Sequence, residues 1–146
     1  MTRVLALVLA FTVGVFSSAV VSRQRSSRQA EKSLLLDSRI DQWHRLYEAA
    51  GMTGDGEIRV EVFNRLLCSD RAGRSLGLMI DVDGLSKCRL DDGTLQELNP
   101  PGDYGPFAKR ILESHLDWSL NNLDFVESVS SAAKARQYVS RHQWPQ

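Results

Sequence analysis

Residues 4–21 read VLALVLAFTVGVFSSAVV, a run without charge that is diluted only by Thr12, Gly14, Ser17 and Ser18. A stretch this apolar must be covered on every side, either by lipid or by a large core. As a helix it rises about 27 Å, enough to cross a thin hydrocarbon layer. The chain has 146 residues, so the portion beyond the run amounts to one modest domain, too small to wrap it. Lipid is the expected cover, and the bilayer the expected partner of residues 4–21.

Two versions of that expectation differ in where they place the rest of the chain. Arg3 precedes the run; Arg23, Arg25, Arg28 and Lys32 come after it. Basic flanks stay on the cytoplasmic side, because crossing desolvates them and opposes the potential. This count predicts a single-pass N-terminal anchor with the domain in the cytoplasm. The alternative is a signal peptide, with Ser17-Ser18-Ala19 as a small-residue cleavage site and the domain exported after cleavage near Ala19. The resulting division is 1–22 as anchor or signal, 23–28 as a basic juxtamembrane connector, 29–142 as a small α+β domain and 143–146 as a tail.

Lys and Arg together equal Asp and Glu, 18 against 18. With no basic stripe to neutralise phosphates, nucleic acid is not an expected partner. The two cysteines, Cys68 and Cys88, read according to compartment. In an exported domain they would close a disulfide loop; in a cytoplasmic one they would be buried thiols. Without His at ligand spacing they do not make a zinc site.

Beyond the connector, Leu35, Leu36, Ile40, Trp43, Leu46, Tyr47 and Ala50 recur at three- and four-residue steps, which predicts a long amphipathic helix over 29–50. Gly51 and Thr53-Gly54-Asp55-Gly56 end it. Ile58, Val60 and Val62 then alternate with Arg59 and Glu61, a strand pattern, while Phe63, Leu66 and Leu67 have helical spacing. Either reading stands at this point. His44, beside the helical stripe, and His115, further on, both read as boundary residues.

The run from Asp55 to Phe63, DGEIRVEVF, resembles the second half of an EF-hand calcium loop and the start of its exit helix. Gly56 matches the family's turn glycine, Ile58 its loop hydrophobe, and Trp43, Leu46, Tyr47 and Ala50 the apolar positions of the entering helix. Gly51, Thr53 and Val62 occupy ligand positions, leaving Asp55 alone of the carboxylates. Calcium requires six to eight oxygens. The resemblance therefore implies a degenerate, metal-free adaptor over residues 43–67.

Ser75 to Ile80 (SLGLMI) reads as a buried strand running into Asp81-Val82-Asp83-Gly84. That ending resembles the opening motif of the haloacid dehalogenase phosphotransferases and the metal-binding strand of diguanylate cyclases. The resemblance would make Asp81 and Asp83 ligands for Mg²⁺ against a phosphate; the plain reading is a turn. Asp92-Gly93 between short alternating runs predicts a hairpin within 87–98, ended by Asn99-Pro100-Pro101-Gly102. Pro106 can open a helix whose expected apolar face is Phe107, Ile111, Leu112, His115, Leu116 and Leu120. Asn121-Asn122 breaks it, and Leu123, Val126, Val129 and Ala133 predict a second helix. Trp144 in the tail reads as a docking aromatic, together with Trp43 and Tyr47.

The fold class predicted from these signals is α+β: an N-terminal transmembrane or signal helix, a long amphipathic helix, a small antiparallel β hairpin or sheet, and two C-terminal helices. No Gly-rich phosphate loop, G-x-S-x-G elbow or HExxH motif is present. These features favour a non-catalytic, membrane-tethered accessory or protein-interaction module, such as a subunit or assembly factor of a membrane complex, with a protein partner and no cofactor. Its rivals are a small exported domain with one disulfide, an Mg-dependent phosphate enzyme using Asp81 and Asp83, and the EF-hand-like adaptor.

Overall fold

One helix, α1, runs from Thr2 to Met52 and takes in the apolar run, the basic connector and the amphipathic stripe. The computed structural model describes residues 2–69, 77–80, 86–89, 93, 95–97, 105–142 and 144–145; for 2–22, 77–80, 86, 96 and 97 it describes the backbone alone. The chain divides into two units, Met1–Asp37 and Ser38–Gln146. In the first, every side chain from Arg23 to Leu35 is exposed. Among the residues described in full, no helix is long and apolar enough to cross a membrane; the run 4–21, on which the anchor expectation rests, lies outside that set.

The second unit begins within α1 and continues as α2 (Gly56–Leu67), α3 (Pro106–Asn121), α4 (Leu123–Ser128) and α5 (Ala132–Arg141). Helices account for 80% of the described residues, which overturns the α+β expectation. The described strands are fragments of four, four and three residues, β1 (Gly77–Ile80), β2 (Ser86–Arg89) and β3 (Leu95–Glu97), running antiparallel in that order. They do not form a layer on which the helices are built. Leu95 is more than half exposed, so the alternation read as a half-buried strand does not bury an apolar face there. The turn expected at Asp92-Gly93 falls mostly outside the described residues, though Gly93 itself has φ 82°.

The turn between α1 and α2 follows from three consecutive residues. Thr53 Oγ1 donates to the Ala50 carbonyl at 2.8 Å and accepts from the Asp55 amide at 3.1 Å. Gly54 takes φ 67°, the left-handed conformation that closes a helix. Asp55 then caps α2, its Oδ1 accepting from the amides of Glu57 and Ile58. The strand pattern at Ile58, Val60 and Val62 therefore fails. With a cap in place, the helical spacing of Val62 and Leu66 wins, and both are fully buried. The EF-hand likeness fails in geometry as well as in ligands: α2 starts at the turn glycine itself, and Asp55 is spent on backbone amides.

The core lies where α1, α2 and α3 meet, around Trp43, Leu46, Val62, Leu66, Phe107 and Ile111. Cys68 and Cys88 are both buried and joined in a disulfide. The single C-terminal helix expected after Asn122 is two. Ser131 interrupts it and caps α5, its Oγ accepting from the Lys134 amide. Asn121 and Asn122 break the chain as expected, but their side-chain amides donate back to α3 carbonyls rather than capping α4. A second apolar cluster of Ala49, Val129 and Ala135, with Phe125, Tyr138 and Val139 around it, holds α4 and α5 to α1.

Candidate docking groove and the histidine chain beside it

The C-terminal turns of α1, the body of α2 and one edge of α3 enclose an open groove of about 420 Å³. Its floor is apolar, with Ala50, Met52, Val60 and Phe63. Tyr47, Glu48, Arg59 and His115 supply its polar margin. Val60 is 59% exposed, although it sits on a helix whose opposite face is fully buried. Capping by Asp55 fixes this outcome: once 56–67 is helical, Val60 points away from Val62 and Leu66.

Along the α3 margin runs a chain of hydrogen-bonded side chains. Ser114 Oγ donates to the Arg110 carbonyl at 2.7 Å, so its oxygen accepts from His44 Nε2 at 3.0 Å. His44 Nδ1 and His115 Nδ1 are in contact at 3.2 Å. His115 Nε2 donates to Glu48 at 2.8 Å, and Ser119 donates to the same carboxylate oxygen at 3.2 Å. Ser119 has one hydroxyl hydrogen for two acceptors, Glu48 and the His115 carbonyl at 3.0 Å, and the role of each ring nitrogen follows its tautomer. His44 is 1% exposed. Burial first, and the neighbouring His115 second, push its pKa down to about 4, against a smaller opposing effect of Asp41. His44 is thus neutral at physiological pH and acts as a relay between two helices.

An aromatic stack extends the chain. The His44 and Trp118 rings lie 5.3 Å apart and nearly parallel, and Tyr47 meets His115 edge-on at 4.9 Å. Trp118 Nε1 donates to Asp41 at 2.9 Å, while Arg45 pairs with the other oxygen of Asp41 and lies over Phe125. Two amphipathic helices are locked here by partnered polar groups, which is how buried polarity is tolerated; the Trp43 indole N–H beside them is buried without a partner.

The chain of side chains does not have the layout of a nucleophilic site. Ser114 lies mid-helix, its proton already engaged by a backbone carbonyl, and it is not among the residues lining the groove. A serine nucleophile needs its hydroxyl free to meet a substrate and donors placed for the developing oxyanion.

The expected docking aromatics part company. Tyr47 lines the groove. Trp43 is fully buried, and Trp144 packs on it within the same chain at 6.3 Å, with the Arg65 guanidinium 4.0 Å over the Trp144 ring. Pro145 is also fully buried, so residues 144–145 belong to the core rather than to a free tail. Asp81 and Asp83, the metal candidates, lie outside the described residues. Among those described, no three His, Cys, Asp or Glu side chains converge on a metal position.

Sequence reasoning places His44 and His115 on apolar margins without connecting them. Their separation of 71 residues hides the pair; the available signal is that each falls on the buried side of its own helix. Comparison of the chain with protein-family models, with curated proteins and with solved structures finds no match.

Proposed function

We propose that this protein is a non-catalytic interaction module whose groove between α1, α2 and α3 receives an apolar helical segment, and that residues 4–21 bring it to a membrane. The observation that carries the reading is the apolar lining of the groove, in which Val60 is 59% exposed, with Arg59 beside it and unpaired with any acid among the described residues. Amphipathic helices dock in grooves of this kind through anchors at helical spacing, with charge at the rim setting orientation. The histidine chain is the scaffold that holds the α3 margin in place.

The Cys68–Cys88 disulfide supports an oxidising compartment for the domain. The basic residues after the apolar run argue for the opposite side. We weigh the disulfide more heavily, because both sulfurs are buried within the folded domain, whereas the charge rule rests on a margin of a few residues. The reading we favour puts the domain on the extracytoplasmic side, either tethered or released after cleavage.

Val60→Asp tests the groove. Because Val60 is exposed, the variant should keep the wild-type far-UV circular dichroism and melt within a few degrees of it. Gentle detergent extracts resolved by native electrophoresis should show the wild-type protein in a complex larger than one chain, and the variant reduced to the single chain. An unchanged complex in a folded Val60→Asp protein would sink the reading.

A further inference from the structure

Beside the groove stands a ridge. Leu116 and Leu120, 71% and 60% exposed, stand one turn apart on one face of α3, and Leu123, 55% exposed, opens α4 just past the break at Asn122. The ridge lies next to the groove margin in order around α3. His115 and Ser119 both reach Glu48, so the groove is on their edge of the helix. Leu116 and Leu120 follow each of them by one residue, about 100° further round from the core. One face of the domain therefore carries an apolar depression and an apolar projection side by side.

Their charges match as well. Among the described residues, no acid pairs with Arg59 at the groove margin. Asp117 and Asp124, both exposed and next in sequence to ridge leucines, likewise pair with no base among the described residues. Acids and bases balance over the whole chain, so two copies approach without net repulsion.

Resting on the groove reading above, we propose that the occupant of the groove is a second copy of this chain: under a two-fold axis, the Leu116–Leu120–Leu123 ridge of each copy enters the groove of the other and Arg59 meets Asp117 across the contact. A depression and a projection of complementary charge on the same face form a self-complementary patch, the condition for a closed isologous dimer. The arrangement removes three exposed leucines and Val60 from water on both copies at once. It leaves no open groove to propagate into a fibre.

The test uses the full chain in its native membrane with a photo-crosslinking residue at position 60. The expected product has twice the chain mass, and peptide mapping places the link within 116–123 of the second copy. A doubled mass linked elsewhere overturns the proposal. A product with another protein or with lipid overturns the second copy as occupant but keeps the groove as a docking site. No product at all overturns the dimer and the groove reading together.

Charge exchange supplies an independent readout in detergent. Arg59→Glu alone and Asp117→Arg alone should each weaken dimerisation about tenfold by bringing like charges together. The double variant should return to within about threefold of wild type. A misfolded single variant would not be rescued by its partner substitution. Equal dimerisation of all four proteins, or a wild type that sediments as a monomer up to about 100 μM, would also overturn it.

Discussion

His44 couples the acid stability of the domain to a single side chain. Its folded pKa of about 4 lies below the ordinary value of 6.5, so the unfolded chain binds the proton more readily than the folded one. Stability is therefore fully present above about pH 6.5 and is lost as pH falls toward 4. The shift corresponds to an upper bound on the order of 3 kcal/mol. His142, also held below its ordinary value by burial, acts with the same sign. Melting temperature should drop steeply between pH 6.5 and 4 in wild type. His44→Gln, which keeps hydrogen-bonding capacity but cannot titrate, should flatten much of that slope; parallel curves would show that the acid sensitivity resides elsewhere. None of this was legible residue by residue. His44 has no second His or Cys three or four positions away, and its pKa is depressed by burial first and then by His115, which sits on another helix. What pattern could show, the apolar stripe through Trp43, Leu46 and Ala50, proved to be core.

At the scale of elements, the turn after α1 decides the architecture. Gly54 has φ 67°, and a methyl group there would meet nothing within 4 Å. The cost of Gly54→Ala is therefore backbone strain alone, about 1 kcal/mol, seen as a lower denaturant midpoint at unchanged slope. A larger loss would mean that the turn also carries a contact. The same turn explains why the strand and helix patterns competed here. Ile58, Val60 and Val62 alternate because Val62 is core and Val60 is on the groove floor, so two apolar surfaces on opposite sides of one helix imitate a period of two. A stripe pattern assumes one buried face per element, and α2 has a second apolar face open to solvent. The Asp-Gly pairs after residue 80 pulled the reading toward a sheet. Turn chemistry is local and says nothing of how long the flanking strands will be, and the described ones stop at three or four residues.

For the whole molecule, the disulfide ties the end of α2 to β2 across 20 residues of sequence. Closing a loop of that size constrains the unfolded chain and stabilises by about 3 kcal/mol in the chain-entropy model. Cys68→Ser with Cys88→Ser should lower the unfolding free energy by roughly that amount. Intact mass of the natively made protein, with and without reductant before alkylation, reports whether the bond exists in its compartment. Two free thiols without reductant would return the domain to the cytoplasmic side and remove the argument for export.

Trp43 and Trp144 are in contact, yet about a hundred residues of sequence separate them. During synthesis, α1 emerges first, and the face of Trp43 that Trp144 covers stays bare until residues 144–145 have been made. That part of the core closes only after those residues have left the ribosome. A chain obliged to stay open for that long is one that a translocation channel can thread before it folds, and one that needs shielding from its own kind until it does.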